Sequence, residues 1–121
     1  MSSAAVVNAT ADIMKALGHV PGAVATTDPG ATLASLPALV LSPPRLMWES
    51  GCLGPTSALY VVSAVVDADE RAIERLWALV VEVGDAVDQF SEGVVVQADP
   101  GVFPSGTAQL PCYDVQIEVP I

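Results

Sequence analysis

The stretch Ala58-Leu59-Tyr60-Val61-Val62-Ser63-Ala64-Val65-Val66 contains no charge, and Asp67-Ala68-Asp69-Glu70 follows it directly. A strand with one face in water alternates apolar and polar residues. Here only Ser57, Ser63 and the Tyr60 hydroxyl interrupt an apolar surface on both faces. Ser57 to Val66 therefore reads as a central strand, covered on both sides by helices or by a neighbouring subunit. The run falls well short of the roughly 20 apolar residues that a membrane-spanning helix needs.

The acidic segment predicts a helix start. Asp67 can cap the helix and Glu70, three residues on, completes a capping box, with Asp69 and Glu70 complementing the positive end of the helix dipole. The helix should run from about Ala68 to Phe90. Ile73, Leu76, Trp77, Val80, Val83 and Val87 recur at spacings of three and four as its buried stripe, which assigns Trp77 to the core. Glu74, Glu82 and Asp85 fall on other faces and break any membrane-spanning run.

Before that unit, Ser3 to Leu17 reads as a first helix, capped by Ser2 or Ser3 and stopped by Gly18. Val6, Ile13, Met14 and Leu17 supply its apolar positions, and its alanines favour helix and close packing. Val20-Pro21-Gly22 and Asp28-Pro29-Gly30 are turns flanking a short strand at Ala23–Thr27. Leu36 to Ser42 gives a buried strand that Pro43-Pro44 ends. Arg45 to Pro55 reads as a loop around Trp48. After Ser91-Glu92-Gly93, Val94–Ala98 is a strand, and Asp99-Pro100-Gly101 opens a loop to about Pro111 that holds Phe103, Pro104 and Gly106. Cys112 to Val119 alternates cleanly, with Tyr113, Val115, Ile117 and Val119 on one face and Asp114, Gln116 and Glu118 on the other. These last two strands should pair as a long-looped hairpin. The expected fold is α/β (α+β), a mixed, mostly antiparallel sheet of about four to five strands packed by two helices, in one domain over residues 1–121.

Composition narrows the functional classes. The 121 residues are 52% hydrophobic and only 15% charged, against roughly 25% charged in an average soluble domain. A small domain has more surface per volume than average and should need more charge, not less. Part of this surface is therefore expected to be covered by other subunits. The N-terminus has no basic segment before its apolar residues, which argues against a signal peptide. Net charge is −10, with Lys15, Arg45, Arg71 and Arg75 as the only basic residues. No basic stripe is available to neutralise phosphates, so specific nucleic-acid binding is not expected.

The chemistry-bearing residues form no catalytic pattern. His19 stands alone between a helix end and a turn, and there is no nucleophile elbow. Asp67, Asp69 and Glu70 lack the further oxygen ligands and distal glutamate of a calcium loop, and capping accounts for them. Asp85 and Asp88 read as a solvated helix face. Gly51-Cys52-Leu53-Gly54-Pro55-Thr56 has no Lys-Ser/Thr ending and precedes a strand, so it is not a phosphate loop. Cys52 and Cys112 lack zinc or redox spacing and read as reduced, mostly buried thiols. The expectation is a protein that is not an enzyme, with no cofactor and no metal.

Four features in order resemble the tail-terminator (tail-completion) proteins of long-tailed bacteriophages. They are an N-terminal helix leading to the Leu36–Pro43 strand, the Leu59–Val66 strand ending at Asp67, the Ala68–Phe90 helix, and the Tyr113–Val119 strand. The resemblance implies a virion structural protein, assembled in the host cytoplasm, that forms a homo-oligomeric ring, by expectation hexameric. Such a ring sits on the head-proximal end of the tail tube, stops its growth and offers a docking face to the neck. Its implied partners are the tail-tube protein and a neck or head-closure protein, with DNA passing through the bore without specific binding and no membrane contact. No active-site residue is carried over. Hydrophobic loop residues make Leu46, Met47, Trp48 and Phe103 the interface candidates. Two rivals remain, a head-closure or minor tail protein and a small dimeric binding domain.

Overall fold

The computed structural model describes residues 3–28, 36–51, 53–105 and 108–121. Its elements are α1 (Ala4–Leu17), β1 (Val24–Thr26), β2 (Ala38–Leu41), β3 (Arg45–Met47), β4 (Ser57–Val65), α2 (Ala72–Phe90), β5 (Val94–Ser105) and β6 (Ala108–Pro120). They build an α+β fold with two helices and one mixed, mostly antiparallel sheet of six strands in the order β1-β2-β4-β6-β5, with β3 joined to β4 beside β2. Only β1 and β2 run parallel.

The charge-free run does become the central strand: β4 pairs with β2 and β3 along one edge and with β6 along the other. Ala58, Tyr60, Val62 and Ala64 point to one side and pack with Ile13 and Leu17 of α1, Leu76 and Val83 of α2, and Val115 and Ile117 of β6. Tyr60 is fully buried, and its hydroxyl meets Thr10 Oγ1 at 2.7 Å while Thr10 donates to the Val6 carbonyl at 2.8 Å. That relay ties α1 to the sheet and leaves no polar atom of the pair unpartnered, a bond worth about 1 kcal/mol. Both helices lie on this face alone. On the other face Leu59 and Val61 are half-buried, and a second small cluster forms from Val65, Leu110 and Cys112 with Leu36 and Phe103 against it.

Several expectations need correction. The helix after Asp67 begins at Ala72, and no capping box forms. The Asp69 carboxylate instead accepts the Arg71 N–H at 2.9 Å, and the Asp69 carbonyl accepts the Ala72 N–H at 3.2 Å. This side-chain-to-backbone turn competes with the helix and delays it. Ser3 occupies the α1 cap without a side-chain bond, and Ser2 lies outside the described residues. Gly18 ends α1 in right-handed geometry; the left-handed residue is Gly22 (φ 75°) in the turn that follows.

The expected loop from Asp99 to Pro111 is mostly strand. β5 and β6 form a long hairpin whose register runs from Val94 opposite Glu118 to Ser105 opposite Ala108, with an irregularity between Val95 and Gln97. Prolines survive there because β5 is an edge strand. The Pro111 carbonyl accepts the Val66 N–H, so Pro111 turns its polar groups away from β5. Its cross-strand partner Val102, and with it Pro100 and Pro104, must then face outward, where a missing N–H breaks no bond. The expected Arg45–Pro55 loop likewise contains β3, which raises the strand number to six. The Asp28-Pro29-Gly30 turn, Cys52 and Gly106 lie wholly or partly outside the described residues.

Candidate interaction surfaces

Trp48 and Leu53 occupy the loop joining β3 to β4. The Thr56 N–H donates to the Met47 carbonyl at 2.8 Å and closes the base of this loop. Beyond it the chain has little to pack on: Trp48 is 56% exposed and Leu53 98%. Of the neighbouring interface candidates, Leu46 turns inward and packs against the main core, and Met47 is half-buried opposite Ser57. Phe103 lies at the other end of the molecule, opposite Leu110, partly buried against the Val65 cluster. The four candidates thus do not form one surface.

A second apolar surface lies on α2. The helix buries Ala72, Leu76, Leu79, Val83, Ala86 and Val87. Ile73 and Trp77, expected in that buried stripe, are instead 51% and 56% exposed. The apolar arc of α2 is wider than the stripe the core covers, so Ile73 and Trp77 are left at its edge. Trp77 is not wasted: its indole N–H donates to the Tyr113 hydroxyl at 3.0 Å and pins the ring towards β6. Between the start of α2 and the far half of the β5–β6 hairpin lies an open groove of about 770 Å³. Ala68, Ile73, Gly101, Val102, Leu110 and Pro111 contribute to its walls, with Asp69 and Glu70 on its rim. Val102 is 59% exposed there. The sequence held no sign of the groove, because its walls come from segments some thirty residues apart that only the sheet order brings together.

The polar residues serve the frame. Arg75 meets the Asp69 carboxylate at 2.6 Å and the Asp67 carbonyl at 3.0 Å, in an exposed ion pair worth at most about 1 kcal/mol. Asp67, Asp69 and Glu70 are therefore a turn before a helix, and among the described residues no three His, Cys, Asp or Glu side chains are grouped to hold a metal. His19 is exposed and stacks on Phe90, with ring centroids 3.7 Å apart. Asp99 and Asp114 stand opposite each other on the helix-free face, where Gln97 donates to Asp99 and Ser63 donates to Asp114, both at 2.8 Å. Burial first, and the Asp114 carboxylate second, push the Cys112 thiol up to about 11, which keeps it protonated and unreactive at neutral pH. Among the described residues no helix is long and apolar enough to cross a membrane.

No protein-family model matches the chain, and no curated protein matches it in sequence. The two apolar surfaces stand on their own chemistry.

Proposed function

We propose that the protein is a virion structural protein, a tail terminator that forms a ring on the head-proximal end of a phage tail tube. There it ends tube polymerisation and joins the tail to the neck, with DNA passing through the bore unbound. The observation that carries this reading is the presence of exposed apolar side chains at separate places on one small frame: Trp48 and Leu53 in a loop, Ile73 and Val102 lining a groove, and Trp77 further along α2. A protein of this size exposes such groups at a cost in solubility unless neighbours cover them. A ring subunit has neighbours on several sides. The order helix, strand, hydrophobic strand ending at Asp67, helix and C-terminal strand, which carries the resemblance to tail terminators, supports the same reading.

The function is mechanical in this proposal: it acts by shape and surface, with no bond made or broken. Deleting the gene from its source genome and imaging the lysate by electron microscopy tests it. Overlong or unattached tails beside DNA-filled heads are expected. Tails of normal length beside emptied heads would assign the chain to head closure, and ordinary infectious particles would overturn both.

A further inference from the structure

The outward face of α2 is at odds with the helix that carries it. At about 100° per residue, Ile73, Glu74, Val81, Asp85 and Asp88 all fall within about 80° of Trp77 around the helix axis. All six side chains are exposed, Val81 by 63%. The other charged residues of the helix, Arg75 and Glu82, lie on the far flank beside Pro21 and Gly22, and Arg75 is held there by Asp69. Arg71 precedes the helix as its N-cap residue, about 120° round from Trp77. Every charge on the outward face of α2 itself is therefore negative.

Two features of this face work against the free molecule. Three large apolar side chains stand in water. Asp88 also sits in the last turn of α2, which holds no basic residue, and Asp85 three positions earlier adds a like charge. Both carboxylates thus crowd the negative end of the helix dipole, with no ion partner among the described residues.

That combination selects the occupant. Apolar side chains are needed to cover Trp77, and cations to meet the carboxylates. A second copy brings no such surface: its four basic residues are scattered over α1, β3 and the start of α2, and its net charge is −10. Nucleic acid and anionic lipid bring phosphates, which are of the wrong sign.

We propose that the outward face of α2 binds a basic amphipathic helix of a partner protein. Its apolar side chains pack on Ile73, Trp77 and Val81, and its Lys or Arg side chains meet Glu74, Asp85 and Asp88. From Glu74 to Asp88 the seat is about 21 Å long, about four helical turns. The inference goes beyond the terminator reading and does not depend on it.

The test uses the full chain with Trp48→Phe, which leaves Trp77 as the one tryptophan. The probes are two synthetic amphipathic helices with the same leucine stripe, one with lysine and one with glutamate on the polar face. The lysine peptide is expected to shift Trp77 emission to the blue and to saturate at one peptide per chain. Asp85→Asn with Asp88→Asn should weaken that binding about fivefold, yet raise the urea midpoint of the free protein, because the clash with the dipole is gone. Glu49→Gln with Glu118→Gln changes net charge equally, in the β3–β4 loop and on the helix-free face, and should leave binding within about twofold. An equal loss in both double variants would reduce the effect to net charge and overturn the inference. So would an absent shift, or a glutamate peptide that binds as well. A blue shift on concentrating the protein alone would assign the face to a second copy and overturn it too. Tail length in the deletion lysate judges the terminator reading separately.

Discussion

A methyl group added at Gly93 would lie 2.7 Å from Ile117 Cγ2 and 3.2 Å from Ile13 Cδ1, both on fully buried side chains. Neither can swing into solvent, so Gly93→Ala overpacks the junction of α2, β5 and α1. We expect a loss of about 1–3 kcal/mol, read from urea denaturation, with unchanged secondary structure. Cys112 sets a pH dependence. Its thiol ionises near 9 when unfolded and at about 11 when folded, so the stabilising preference for the protonated form is complete below pH 9. It is lost as pH rises from 9 to 11, because there the unfolded chain releases a proton that the folded chain keeps. Urea midpoints at about pH 8 and about pH 10.5 should therefore fall further in the wild type than in Cys112→Ala. An equal fall in both would remove Cys112 as the cause. Trp48 was legible in the sequence as an aromatic in a loop bounded by prolines and glycines, a setting that fits core packing as well as partner contact, and its exposure shows only that the core did not take it. Trp77 was not, because the apolar arc of α2 is wider than the stripe the core covers and does not announce which edge of it will stay in solvent.

At the scale of elements, the clearest sequence patterns became the clearest structure. The charge-free run is β4, the spacing from Leu76 to Val87 is α2, and the alternation from Tyr113 to Val119 is β6. What the pattern misread was β5 beyond Ala98. Asp99-Pro100-Gly101 is turn chemistry in any reading confined to neighbours, and only an edge position makes proline compatible with a strand. The same geometry yields a prediction. Along the outer edge Pro100 and Pro104 withhold N–H groups that flank Val102, so another strand finds few donors to pair with. Pro100→Val with Pro104→Val should restore them. We expect the double variant to keep its fold and to gain thioflavin-positive aggregates on prolonged incubation, where the wild type stays clear. Equal clarity in both would mean that the prolines do not guard this edge. The helix start was displaced for a related reason: three acids in four residues offer two competing turns, and Asp69 took the one that also engages Arg75.

For the whole molecule the governing quantity is the surplus of negative charge. Assembly of identical −10 chains works against long-range repulsion, whose reach falls from about 30 Å at 10 mM salt to about 8 Å at 150 mM. Self-association should therefore tighten as salt is raised over that range, followed by sedimentation velocity at fixed protein concentration. Weakening instead would mean that repulsion between the chains does not govern their association. Composition made an excess of apolar surface legible, through high apolar content and scarce charge. It could not show where that surface lies, because the groove exists only once the hairpin folds beside α2. The donor-poor flank of β5 has a consequence of another kind. Backbone pairing is indifferent to sequence and would let any exposed strand attach, whereas side-chain contacts can be altered one codon at a time. With Pro100 and Pro104 on the outer edge of β5 and β1 only three residues long, strand addition has little backbone to use, and under the proposed assembly the choice of neighbours falls to side chains, which can change by single substitutions while the sheet itself stays the same.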